Sequence, residues 1–197
     1  INIDEQLAQA VADNLGISPL PPRATPFIEP RTDLPVSNAL SILKNPPNTF
    51  AGRKMGVLIS DGVDIDLFNA LKEAVELEHG VLAVIGPKIA GIEASDGTQI
   101  MADEAIAGGS SVLFDAVALL PGTKTAAVFA RHPRVRDFVA DAFTHFKFIG
   151  LGPDAQPLLD EARAVADKGC VAIKDAKTAA DFLKRCRLLR YFDREIC

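Results

Sequence analysis

The stretch Met55-Gly56-Val57-Leu58-Ile59-Ser60-Asp61-Gly62-Val63-Asp64-Ile65-Asp66-Leu67-Phe68-Asn69-Ala70-Leu71 decides the fold. Met55 to Ile59 is a short, continuous run rich in Val, Ile and Leu, as a strand buried on both faces would be. Past a polar turn, Asp66 to His79 sets Leu67, Ala70, Leu71, Ala74 and Val75 on one helical stripe, closed by Gly80. Strand and helix then repeat. Val81 to Ile85 is a second strand and Ala116 to Leu120 a third, stopped by Pro121-Gly122. Between them, Ile89 to Met101 carries Ser95-Asp96-Gly97-Thr98, a hairpin signal. A helix entered through Pro133 shows Val135, Phe138, Val139 and Ala142, and Phe146 to Leu151 follows as a strand. A helix with Leu158, Leu159, Ala162, Val165 and Ala166 leads to the strand Cys170 to Ile173. The last helix begins after Thr178 and aligns Phe182, Leu183 and Cys186. The sum is an α/β, three-layer, flavodoxin-like domain: a five-stranded parallel sheet in the order 2-1-3-4-5 with an inserted β-hairpin.

Upstream the composition differs. Pro19, Pro21, Pro22, Pro26, Pro30, Pro35, Pro46 and Pro47 fall in one stretch, which predicts an extended linker over residues 17–51. Before it, residues 1–16 read as a helix. Asn2 and Glu5 have the spacing of a capping box, Ile3, Leu7, Ala10, Val11 and Leu15 form a stripe, and Gly16 suits the C-terminal cap. One such helix is marginal alone in water, so it belongs against another body. The domain proper is residues 52–197.

The 197 residues are 48% hydrophobic and 24% charged, with formal net charge −5, which excludes general disorder and argues against a nucleic-acid surface or docking on an anionic membrane. Only three Cys (Cys170, Cys186, Cys197) and three His (His79, His132, His145) are present, without the close pairs that a structural zinc site uses. In such a sheet, function sits beyond the carboxyl ends of the strands, here the loops after Ser60, Leu120 and Leu151. The first loop, with Asp61, Asp64 and Asp66, would repel a flavin phosphate. A phospho-receiver would explain the acidic turn and Lys174, but it needs an aspartate where this chain reads Leu119-Leu120-Pro121-Gly122-Thr123. Asp61 and Asp64 on one turn are a weak set for a hard cation. Nucleophilic hydrolysis needs a thiol or hydroxyl on a strained elbow. Ile149-Gly150-Leu151-Gly152-Pro153 has the glycine-rich shape and no nucleophile. Cys170 and Cys186 read as core, Cys197 as a terminal residue, and the three histidines as helix-end or surface groups. Lys184, Arg185, Arg187, Arg190 and Arg194 read as a solvated helix face.

Gly52-Arg53-Lys54 leading into Val57-Leu58-Ile59-Ser60-Asp61-Gly62-Val63-Asp64, then Ser95-Asp96-Gly97-Thr98, Phe114-Asp115-Ala116-Val117 and Leu120-Pro121-Gly122, resembles the C-terminal domain of large-subunit haem catalases. Asn2 to Gly16 looks like the end of that family's helical domain, the proline-rich stretch like its linker, and the whole most like its fungal branch. The resemblance implies a homotetrameric parent that dismutates hydrogen peroxide to water and oxygen. Its haem is held by a proximal Tyr, with distal His and Asn, in a core preceding this segment. Tyr191, the one tyrosine, matches no haem-ligand motif, so neither cofactor nor metal is expected here. The domain is also similar to the class I glutamine amidotransferase-like superfamily, whose protease, deglycase and chaperone members carry Ile-Cys-x-Gly-Pro at the elbow. Gly150 stands where that Cys would be, and the acidic loop of Asp61 and Asp64 would be a vestige of the site. The family associates this domain with tetramer stability and chaperone-like protection of unfolded clients. The alternatives are a residual hydrolase or deglycase using Asp64 with water, and a small-ligand module in the switch-point cleft.

Overall fold

The structure is a computed structural model and describes residues 1–29, 31 and 33–194. The chain divides into two compact units, Ile1–Leu40 and Ser41–Cys197.

In the first unit, α1 (Glu5–Leu15) is capped by Asp4, whose extended backbone lets its carboxylate accept from Leu7 N at 2.7 Å. The Asn2/Glu5 capping box does not form, because Asn2 Oδ1 accepts instead from Ala24 N. Gly16 ends the helix in the left-handed region at φ 66°, as its sequence position suggested.

The second unit is built on β1 (Lys54–Ile59), α2 (Ile65–Leu77), β2 (Val81–Gly86), β3 (Ile92–Glu93), β4 (Gln99–Ile100), β5 (Glu104–Ala105), β6 (Ala116–Leu120), α3 (Ala126–Ala130), α4 (Pro133–Thr144), β7 (Ile149–Leu151), α5 (Gln156–Glu161), β8 (Cys170–Ala172) and α6 (Ala176–Cys186). The parallel sheet runs β5-β2-β1-β6-β7-β8, which contains the expected order and adds one short edge strand. β5 pairs only with Ile85 and Gly86, too brief a segment for periodicity to signal. β3 and β4 form the expected hairpin, with Asp96 accepting from Thr98 N across its turn.

Alternation along the strands divides the core between the two faces. Met55, Val57 and Ile59 of β1 and Ala116, Ala118 and Leu120 of β6 face α2 and α6, while Leu58, Val117 and Leu119 face α3, α4 and α5. Helix ends differ from the sequence reading where side chains override simple glycine stops. α2 starts at Ile65 under Asp64, and His79, not Gly80, takes the left-handed position at φ 55°. Gly80 is required for another reason: a Cβ there would sit 2.7 Å from the buried Phe50 ring. α6 starts before Thr178, which serves as the third helical residue in a capping box with Asp175. α5 ends at Glu161, leaving Val165 exposed, and β7 is confined to Ile149–Leu151 because Phe146 turns at φ 57°. The short α3 gave no sequence signal.

Candidate functional site

The carboxyl pole of the sheet brings together the loops after β1, β6 and β7, as expected for this topology. These loops are bonded to one another. Ser60, 3% exposed, accepts from Gly122 N through Oγ at 3.0 Å and shares a hydrogen bond with Thr125 Oγ1 at 2.8 Å. Thr125 Oγ1 in turn donates to Asp61 O at 2.7 Å. A Cβ on Gly122 would collide with Asp61 O and lie 2.6 Å from Gly62 C, so only glycine lets the two loops touch backbone to backbone.

Both acidic residues singled out in the first loop make structural bonds. Asp61 Oδ1 accepts from Glu93 N at 3.0 Å, while Gly62 N donates to Glu93 O at 2.7 Å; together they fasten the hairpin to the loop. Asp64 caps α2 by accepting from Leu67 N at 3.1 Å. Lys174 stands in the capping turn of α6, where its N–H donates to Thr178 Oγ1. Beside these loops lies a cavity of about 310 Å³ lined by Asp64, Ser95, Leu120, Thr123, Gly152 and Asp154, among others. Thr123 Oγ1 donates to Asp154 Oδ2 at 2.8 Å, so the second carboxylate of this cleft is also engaged. Among the described residues, no group of three or more His, Cys, Asp or Glu side chains is placed to hold a metal ion.

Gly150 lies inside β7, paired with Ala118 on one side and Val171 on the other, and its φ is outside the left-handed region. A nucleophile elbow is a strained turn that lifts its residue out of the sheet; this residue is an ordinary strand position. The direction in which its side chain would project is filled. A Cβ would collide with Ile173 Cδ1 and lie 2.8 Å from Phe182 Cε1, both residues being fully buried.

The remaining candidates are dispersed. Burial pushes the Cys170 thiol up and the Cys186 thiol well up, which keeps both in the unreactive protonated form. Cys197 lies outside the described residues. His132 caps α4, its Nδ1 accepting from Arg134 N. His145 Nδ1 bonds Asp141 O at the end of α4, and His79 follows α2, so no two histidines share a site.

The basic cluster is not a solvated helix face. Only Lys184 and Arg185 lie on the last turn of α6, where they bond Asp181 and Lys168 O. Arg187 pairs through two hydrogen bonds with Glu78, holding that carboxyl below its usual range. Arg190 donates to Asp115 O at 3.0 Å. Arg194, 7% exposed, donates to Asp167 Oδ2 (2.6 Å), Phe143 O (3.0 Å) and Lys147 O (2.9 Å). These arginines clasp the C-terminal segment across the amino ends of the strands, opposite the expected site. Sequence reasoning also missed Lys147, 2% exposed, whose Nζ donates to Ser111 O and Phe114 O. Burial, and then the charge of Arg190, lower its pKa to about 8. A lone lysine between Phe146 and Phe148 gives no periodic signal of such a role.

Residues 51–195 match the family described as the C-terminal domain found in long catalases. Catalase C of Rhizobium meliloti (strain 1021) is 43% identical over 197 residues, covering 99% of this chain and 28% of that one. Catalase HPII of Pseudomonas putida is 30% identical over 98% of this chain and 27% of its own length. Catalase A of Aspergillus fumigatus is 32% identical over 81% of this chain and 21% of its own length. The chain thus spans roughly a quarter of the curated relatives it matches. Among solved structures, Drosophila melanogaster DJ-1beta aligns with TM-score 0.60 at 16% identity, over 72% of this chain and 92% of its own. Schizosaccharomyces pombe DJ-1 aligns with TM-score 0.57 at 15% identity, over 72% and 94%. At such identities the likeness is one of fold.

Proposed function

The chain belongs to the family of C-terminal domains found in long catalases, and from that premise we propose that it is a non-catalytic accessory domain, acting in subunit stability and chaperone-like protection of other proteins. Dismutation of hydrogen peroxide is assigned to the rest of the parent subunit, which the chain does not span. One observation carries this reading: the space in which an elbow nucleophile would stand is occupied by Ile173 and Phe182. Asp61 and Asp64 each spend one carboxylate oxygen on a backbone amide, which supports a structural role for both over the residual hydrolase alternative.

The residues here do not fit haem. The Tyr191 ring packs against Phe148 with centroids 6.1 Å apart, and the Arg194 guanidinium lies 5.7 Å from it, so its faces are committed to the C-terminal clasp. A docking role is supported from the other unit. Leu7, Val11 and Leu15 recur every fourth residue along α1, with Ile3 just before its cap, and all four are between 50% and 94% exposed, an apolar stripe that suits burial against another body such as the remainder of a catalase subunit.

Two measurements test the proposal. Removing residues 51–195 from the parent catalase lowers the temperature at which its subunits dissociate, and the 197-residue chain at several-fold excess suppresses light scattering by a heat-stressed client. Unchanged dissociation together with unchanged scattering overturns it. A second reading, a small polar-ligand module, rests on the 310 Å³ cavity at the switch point. Thermal-shift screening separates it, since a ligand at a hundred times its Kd adds about 2.7 kcal/mol to stability.

A further inference from the structure

The outer edge of β2 is covered along only part of its length. In a parallel ladder successive residues turn their N–H and C=O groups to opposite neighbours. Val81 N donates inward to Arg53 O, so Leu82 and Val84 face outward. Val84 is satisfied twice by Asp103, whose Oδ2 accepts from Val84 N and whose N donates to Val84 O, each at 2.8 Å. β5 continues the cover at Ile85 and Gly86. Leu82 precedes it, and among the described residues its outward N–H and C=O meet no partner. It floors a groove of about 600 Å³ between α2 and the hairpin. Val81 and Met101, on the same groove, are 54% and 65% exposed. Lys72 and Glu76 of α2 also line it, one helical turn apart. Lysine preceding glutamate is the weaker order for a pair within one helix, and these two are not among the ion pairs of the described residues.

We propose that this edge is a two-fold interface with a second copy of the chain. Across a two-fold axis every contact occurs twice with the roles exchanged. Leu82 and Leu82 of the second copy exchange both N–H···O=C bonds, as a hydrogen-bonded antiparallel pair does. Lys72 of each copy meets Glu76 of the other, and Val81 and Met101 bury against their counterparts. Asp103 blocks further strand pairing, as charged side chains at sheet edges do, and so fixes the register at Leu82. A foreign extended peptide would gain the same two backbone bonds without the reciprocal charges, which is why a second copy is the better occupant. The inference is independent of the accessory-domain reading above.

The test uses sedimentation of the 197-residue chain, with circular dichroism to check that α2 remains folded. The wild type sediments as a dimer that weakens with salt. Lys72→Glu gathers only acidic groups at the axis and Glu76→Lys only basic ones, and each raises the dimer Kd about tenfold or more. An equimolar mixture of the two variants restores attraction at both contacts and forms a heterodimer near wild-type affinity. A wild type that stays monomeric, a dimer indifferent to both reversals, a mixture that fails to reassociate, or a monomer that takes up an extended peptide in this groove each overturns the proposal.

Discussion

Placing a thiol within β7, Gly150→Cys, is expected to destabilise the domain without creating a reactive site. The added Cβ collides with Ile173 Cδ1 and lies 2.8 Å from Phe182 Cε1 and 3.1 Å from Phe182 Cζ, and Sγ extends it further into the same apolar layer. The end of Ile173 can rotate away. Phe182 cannot, because α6 holds it among Ala179, Leu183 and Cys186, all fully buried or nearly so. Overpacking of this kind costs about 1–3 kcal/mol, which for a domain of this size, at about 2–4 °C per kcal/mol, lowers Tm by about 2–12 °C. The new thiol meets the same kind of surroundings that push Cys186 well above the ordinary thiol range, so it carries little thiolate. Thermal unfolding followed by circular dichroism, with thiol titration before and after denaturation, measures both effects. Adding Ile173→Ala opens room for Sγ, so the double variant should be more stable than the sum of the two single losses, a coupling expected of residues in contact. A Gly150→Cys protein that melts with the wild type and whose thiol reacts in the native state would refute the reasoning.

Arg194→Ala should cost about 3 kcal/mol in urea unfolding, because it removes the charge partner of Asp167 and leaves two carbonyls without their donor inside the clasp. Burial pushes the Asp167 carboxyl up, but the hydrogen bonds and charge of Arg194 outweigh it and hold it low; its stabilisation is therefore present above the unfolded carboxylate pKa and lost as pH falls below about 4. The wild type should lose stability there more steeply than Arg194→Ala. Lys147 acts with the same sign at higher pH and for a different cause, burial of its charge: with a folded pKa of about 8 the native state gives up its proton first, so between that pH and the ordinary lysine value the unfolded chain binds more protons and stability rises with pH. Urea midpoints from pH 7.5 to 10 should climb in the wild type and lack that component in Lys147→Met; parallel curves would exclude a charged, buried Lys147.

The sheet was legible because each long strand is a continuous apolar run and each long helix has a clear stripe, and those patterns depend only on burial. What escaped was set by single side chains. The capping of α1 by Asp4 rather than Asn2, and of α6 by Asp175 rather than Thr178, turned on which oxygen reached an amide, which spacing alone does not determine. The absence of a nucleophile at Gly150 could be read directly, but not what fills its place, since Ile173 comes from just past β8 and Phe182 from α6. The arginines misled for a related reason. Lys184 through Arg194 is a plain basic run in one dimension, and only folding of the C-terminal segment onto Asp115, Phe143 and Lys147 turns it into buried bonds.

The two poles of the sheet together show where the polar side chains of the domain are committed. A catalytic group needs hydrogen-bonding capacity left over and aimed at a substrate. At the carboxyl pole, Ser60 bonds Gly122 and Thr125, Asp61 the hairpin, Asp64 the first turn of α2, and Thr123 bonds Asp154. Ser60, Asp61 and Thr123 each fasten one loop to another, while Asp64 caps the helix that follows it. The buried basic side chains Lys147 and Arg194 lie at the amino pole, where they bind main-chain carbonyls in the interior. Polar groups at both poles are thus engaged in holding the domain together, and a thiol placed at Gly150 would meet Ile173 and Phe182 in the apolar layer between them.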